Sequence, residues 1–127
     1  MILETTFIID LMNGNPEAIE KIKQINETQF ITTPTIFELW SGIAQSKKPV
    51  QEKKKILAVL ESQLVLNLDK ESSEEAGEID GTLIKEGQQI DPEDSMIAGI
   101  AKAYGEKILT RNVSHFDRIK GIEIETY

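Results

Sequence analysis

Short β-type runs and longer helical runs take turns along this chain, and that alternation restricts the possible fold more than any other feature. The runs Ile2 to Glu4, Gln29 to Thr33, Leu64 to Leu68, Lys107 to Thr110 and Gly121 to Glu125 read as strands, with Ile122 and Ile124 alternating with acids in the last. Strands separated by helical crossovers lie parallel, because a crossover returns the chain to the same edge of the sheet. The expected fold class is therefore α/β, a three-layer arrangement with a mainly parallel five-stranded sheet flanked by helices. The 127 residues supply one core, so residues 1–127 are expected to form a single domain.

The helices are marked by their punctuation as well as by their period. Pro16 fits the first position of a helix running to Asn26, with Ile19, Ile22 and Ile25 on one stripe. Pro34 fits the same position after the N-cap Thr33, opening a helix to Gln45. Val50 to Gln63 presents Ile56, Leu57 and Leu60 on one face, and Asp69 caps a helix that ends at Gly87. Inside that helix, Gly77 and Gly81 are expected to admit a neighbouring backbone. Asp91 caps the last long helix, with Pro92 at its first position and Gly105 at its stop.

Composition removes several kinds of chemistry. The chain has no cysteine and one histidine, His115, which excludes disulfides, thiolate zinc sites, cysteine nucleophiles and poly-histidine metal motifs. Its net charge of −8 is the wrong sign for a general polyanion binder, so any contact with nucleic acid must be local or metal-bridged. The basic cluster Lys47, Lys48, Lys53, Lys54 and Lys55 reads first as a solvated helix face, and second as a footprint for a phosphate backbone. The opening Met1-Ile2-Leu3-Glu4 has no basic flank, and Asp10 cuts the apolar run Phe7-Ile8-Ile9. A soluble cytoplasmic protein without a membrane segment is expected.

In parallel sheets, ligands gather where strands end and helices begin. Glu4 closes the first strand, followed by Thr5 and Thr6; Glu38 lies one turn into the helix after the second; Thr110, Arg111 and Asn112 leave the fourth. Asp94 reaches the same rim from the other direction. Its helix spans roughly 20 Å at 1.5 Å per residue and turns at Gly105 into the fourth strand, so its start returns to that edge. Three carboxylates gathered there repel one another unless a cation intervenes. Oxygen ligands suit Mg²⁺ or Mn²⁺, which polarise a phosphoryl oxygen and activate water for phosphodiester hydrolysis. Each residue also has a plainer reading: Asp94 as an acidic helix start, Glu38 as a surface carboxylate, Glu4 as a strand end. Asp10 reads as solvated on the far side of a short helix, His115 as a packing or surface residue, and Trp40 and Tyr104 as core or interface.

The order of these segments resembles the PIN domain family, especially its toxin-like, VapC-type members. The resemblance rests on Ile2-Leu3-Glu4-Thr5-Thr6-Phe7-Ile8-Ile9-Asp10, on Thr33-Pro34-Thr35-Ile36-Phe37-Glu38-Leu39, and most specifically on Asp91-Pro92-Glu93-Asp94-Ser95-Met96-Ile97-Ala98 with Leu109-Thr110-Arg111-Asn112. It implies a parallel-sheet nuclease fold and Mg²⁺- or Mn²⁺-dependent cleavage of single-stranded RNA, with an antitoxin protein as partner and a homodimer as assembly. Position by position, it implies Glu4, Glu38 and Asp94 as metal-site acids and Asn112 in a fourth, often acidic, place. Thr6 would brace the first carboxylate, with Thr110 supporting, and Arg111 is close enough to contact a phosphate of the RNA. Two positions depart from the family pattern: Glu4 stands where aspartate is usual, and His115 where aspartate commonly precedes the phenylalanine.

Two other readings stay open at this point. A weakened PIN domain could serve as a protein-binding module. A non-catalytic Mg²⁺-binding switch of the phospho-receiver kind fits badly, since Asn67 and Leu68, rather than an acceptor aspartate, stand near the end of the third strand.

Overall fold

The computed structural model describes all residues from Met1 to Tyr127. Five strands, β1 (Ile2–Leu3), β2 (Phe30–Thr32), β3 (Leu64–Leu66), β4 (Ile108–Leu109) and β5 (Ile124–Glu125), form one sheet in the order β3-β2-β1-β4-β5. Every neighbouring pair is parallel, with Ile2 opposite both Phe30 and Ile108. The sheet is thus wholly parallel, and β1 is central. Seven helices cover it: α1 (Thr5–Met12), α2 (Pro16–Gln24), α3 (Thr33–Gln45), α4 (Pro49–Glu61), α5 (Lys70–Lys85), α6 (Pro92–Tyr104) and α7 (Val113–Phe116).

Alternation along the strands divides the single domain's interior into two apolar layers, one on each face of the sheet. Ile2 and Ile108 face one side and pack with Ile79, Leu83, Ile97, Ile100 and Phe116 under α5 and α6. Their neighbours Leu3 and Leu109 face the other side and pack with Phe7, Ile8, Leu39, Ile43 and Ile56 under α1, α3 and α4. The strands are short, yet the two residues of β1 are fully buried and serve both apolar layers. This is the three-layer α/β fold expected from the sequence.

The helix ends follow their caps, with some shifts. Asn15 caps α2 through a hydrogen bond from the Ala18 amide, and Asp69 and Ser72 form a reciprocal capping box at α5. Helix α3 begins one residue earlier than expected. Thr32, not Thr33, is its N-cap and accepts from the Thr35 amide, because Pro34 suits the second helical position as well as the first. On α4 the inward residues are Ile56, Val59 and Leu60, while Leu57 is exposed. Trp40 and Tyr104 are not core residues: both are substantially exposed, and the Tyr104 hydroxyl donates to Asp69.

The close helix contact also lies elsewhere than expected. Gly77 and Gly81 are exposed, with nothing near the place a Cβ would take. The tight position is Gly99, in the middle of α6, where a Cβ would stand 2.6 Å from Ala76 Cβ and from the Ser72 carbonyl oxygen. Helix α6 is buried between the sheet and α5 from Ile97 to Ala101, and this contact fixes the direction in which its N-terminus, with Asp94, meets the sheet edge.

Candidate active site

Glu4 occupies the turn from β1 into α1 and caps that helix. Only 2% of it is exposed, so an ordinary surface role is excluded. Its oxygen Oε2 accepts three hydrogen bonds, from the Thr6 amide, from the Thr6 hydroxyl and, at 2.8 Å, from the Thr110 hydroxyl. Its oxygen Oε1 accepts none. One oxygen is therefore held fast while the other is left for something outside the protein's own hydrogen-bond network. The same hydroxyls stitch the loop after β4 to the site: Thr6 Oγ1 accepts from the Arg111 amide and Thr110 Oγ1 from the Asn112 amide.

Glu38 comes from the second turn of α3. Its Oε1 accepts a 2.9 Å hydrogen bond from the Thr5 hydroxyl, which lies 3.0 Å from the Thr35 hydroxyl. The Thr5 hydroxyl is the donor toward both Glu38 and Thr35, and its one proton is shared between them. Thr32 also donates to Thr35 at 3.2 Å. A row of three threonine hydroxyls, grounded in the sheet end, thus leads to one carboxylate.

Asp94 is the third residue of α6 and only 5% exposed. Its Oδ2 lies 2.9 Å from His115 Nδ1, and the same ring nitrogen lies 2.7 Å from Asn112 Nδ2. The sequence reads His115 as a packing or surface residue; the structure brings it against Asp94. Asp91, read as a cap, makes no side-chain capping bond, and one ligand atom each from Asp91, Asp94 and His115 lie within 4.8 Å of one another. Helix α7, which presents His115, has four residues, too few to show a period. The signal the sequence offers is His115 itself, three residues after Asn112 and just before Phe116, where the resemblance leads one to expect aspartate.

Asp10 also differs from expectation. It is buried, accepts a 2.6 Å hydrogen bond from the Tyr127 hydroxyl, and pairs through Oδ2 with Arg111 Nη1 at 3.0 Å. Arg111 keeps 59% of its side chain exposed. The lysines of the loop before α4 and of α4 itself remain on the surface, with Lys53 over the Trp40 ring.

The electrostatics link the three acids. Burial pushes the Glu4 carboxyl above its usual range against the pull of its threonine hydrogen bonds, and the charge of Asp94 pushes it further. Burial also raises Glu38, to about 7, despite the Thr5 hydrogen bond, with Asp94, Glu4 and Glu93 adding repulsion. Asp94 is raised by burial, against its contact with His115, and again by Asp91 and Glu93. No lysine or arginine pairs with any of the three: the ion pairs of the chain lie elsewhere, save the contact of Asp94 with His115. Carboxylates that repel one another in a partly dry place, with no protein cation between them, are the donor set a hard divalent ion fits.

The family model of the PIN domain matches residues 1–122. The tRNA(fMet)-specific endonuclease VapC of Salmonella typhimurium is 32% identical, across 98% of this chain and 96% of that protein. Among solved structures, VapBC2 from Rickettsia felis bound to a DNA fragment from its promoter superposes with a TM-score of 0.91 at 25% identity, covering 99% of this chain and 97% of that one. DNA-bound VapBC from Salmonella typhimurium gives 0.89 at 30% identity, covering 98% and 96%. The family match over nearly the whole chain and the close superposition of the fold agree: this chain belongs to the PIN domain family, among its VapC-type ribonucleases.

Proposed function

We propose that this PIN-domain ribonuclease is a Mg²⁺- or Mn²⁺-dependent endonuclease acting on single-stranded RNA in the cytoplasm, the toxin of a pair whose antitoxin protein masks it. The observation that carries this reading is the group Glu4, Glu38 and Asp94, each raised by burial and by its neighbours, with no lysine or arginine to neutralise them. Glu4 through its free oxygen, Asp94 and Glu38 would hold the metal. When bound, the ion supplies charge neutralisation for the scissile phosphate and lowers the pKa of water at the site.

The chain's own groups do the remaining work. Thr6 and Thr110 fix the Glu4 carboxylate so that its free oxygen keeps one direction. Thr5 does the same for Glu38, whose carboxylate would orient the attacking water. His115 holds Asp94 through Nδ1, and Asn112 meets the same ring nitrogen. Arg111 offers the RNA phosphate a cation at the rim. In a chain of net charge −8, such local positive groups decide where a polyanion can approach. The solved relatives are VapBC assemblies, which supports an antitoxin partner here; a homodimer is proposed from the family resemblance alone.

The test is cleavage of a single-stranded RNA with Mg²⁺ or Mn²⁺, comparing the native chain with Asp94→Asn and Glu4→Ala. Metal-dependent cleavage lost in both variants is expected; equal activity in native and variant protein would remove the assignment.

A further inference from the structure

Asp10 is a buried acid that the carboxylate site does not use. It sits near the end of α1, about one turn beyond Thr6, and its side-chain contacts come from far along the chain: Tyr127, after β5, and Arg111, after β4. The Tyr127 ring packs edge-on against Phe7 at 4.9 Å between centroids, so its hydroxyl is brought to Asp10 by a ring already fixed in the core. Burial and the neighbouring Asp10 charge hold the Tyr127 proton far more tightly than usual, which makes its hydroxyl the donor in that 2.6 Å bond.

Arg111 is held at both ends. Its backbone amide donates to the hydroxyl of Thr6, the residue that braces Glu4, and its Nη1 meets Asp10. A guanidinium carries five N–H donors in a planar fork, and Asp10 engages one nitrogen. With 59% of the side chain exposed, the rest of the fork faces solvent beside the site. An arginine this exposed ordinarily samples many rotamers and gains little from a surface ion pair. Here the acceptor is itself immobilised, by burial and by a tyrosine, which is an expensive arrangement for a mere surface contact.

We infer that Tyr127 and Asp10 are positioning residues for Arg111, holding its guanidinium so that the free edge of the fork receives a phosphate of the single-stranded RNA. The inference rests on the reading of the site given above, and it adds a line of residues from the far edge strand to the substrate. Removing the Tyr127 hydroxyl leaves its ring contact with Phe7 intact and frees Asp10 to turn, so Arg111 loses its fixed direction without losing its charge.

The experiment measures kcat and KM for a single-stranded RNA oligonucleotide with Mn²⁺ in the native chain, Tyr127→Phe, Arg111→Ala and the double variant. Tyr127→Phe is expected to raise KM about threefold to tenfold with kcat within about twofold, the pattern of a lost binding contact rather than a lost chemical one. In the double variant KM is expected to match Arg111→Ala alone, because the hydroxyl acts only through that arginine. The salt dependence of binding should become shallower in Arg111→Ala by roughly one phosphate contact. An unchanged KM in Tyr127→Phe, or effects that multiply in the double variant, would overturn the inference. Binding of the same labelled RNA to Asp94→Asn chains, with and without Tyr127→Phe, reads the positioning without cleavage. Failure of the native chain to cleave would therefore count against the proposed function, while the binding result would still decide the role of Tyr127.

Discussion

His115 Nδ1 stands 2.9 Å from Asp94 Oδ2 and 2.7 Å from Asn112 Nδ2, so a single ring nitrogen serves the acid and the amide of two different elements. One nitrogen cannot donate to the carboxylate and accept from the amide at once, so the proton between His115 and Asp94 decides how the amide of Asn112 is turned. Replacing this imidazole by a carboxylate adds a fourth acid to a site without a protein cation. His115→Asp is therefore expected to lower the melting temperature of the metal-free chain by about 2–5 °C and to enlarge the increase that Mn²⁺ produces. Thermal melts with chelator and with Mn²⁺, on native and variant protein, check both halves; a variant whose melting temperature responds to Mn²⁺ no more than the native chain's would show that His115 does not border the ion.

Asp94→Asn separates catalysis from folding. Asp94 is buried and its charge is opposed by burial, Asp91 and Glu93, so the amide removes repulsion while keeping shape. Cleavage should fall by more than about 100-fold, the usual scale for losing a group that stabilises charge in the transition state. The metal-free protein should melt at the same temperature or higher. A parallel drop in activity and melting temperature would mean the acid holds the fold and not the ion.

The raised carboxyls fix the sign of the pH dependence. Glu38 titrates near 7 in the folded chain against an ordinary value of 4.5, and Glu4 and Asp94 are shifted in the same direction. Between those limits the native state holds more protons than the unfolded one, so their contribution to stability is fully present below about pH 4.5 and is lost as pH rises through 7. Metal-free protein should accordingly lose stability to denaturant from pH 5 to pH 8, and saturating Mg²⁺ should flatten that slope by favouring the ionised acids. Urea melts at a series of pH values, with EDTA or with Mg²⁺, provide the measurement.

Much of the fold was legible because its signals are local. Alternating apolar residues in Ile2–Leu3 and Ile108–Leu109 place neighbours in opposite apolar layers, and the prolines at 16, 34 and 92 mark helix starts to within a residue. The carboxylates could be nominated because strand ends and helix starts share one rim in a parallel sheet. What stayed hidden depends on distant partners. Asp10 reads as solvated from its position beyond Glu4, since nothing nearby reveals that Tyr127, 117 positions on, will cover it. His115 reaches Asp94 from a helix too short to carry a pattern. Thr33 reads as the cap although Thr32 is, because a proline's missing amide is harmless at either of the first two helical positions.

The glycines show the same limit and yield the last prediction. Two glycines four apart in α5 suggest a surface for close approach, but Gly77 and Gly81 face solvent, and the crowded position is Gly99, inside an apolar run that would accommodate alanine by pattern alone. A methyl at Gly99 would meet Ala76 Cβ and the Ser72 carbonyl oxygen at 2.6 Å, and neither is a flexible side-chain end. The helices must separate, and overpacking of this kind costs about 1–3 kcal/mol. Because α6 carries Asp94, the shift should also displace that carboxylate from its partners, so Gly99→Ala should lower both the melting temperature and RNA cleavage. Gly77→Ala, on an open helix surface, should instead stabilise by up to about 1 kcal/mol through better helix propensity and leave cleavage as it was. Melting curves and cleavage rates of the two variants test this together. Equal effects from both would show that α5 and α6 do not meet at Gly99, and that Asp94 owes its place to something other than this contact.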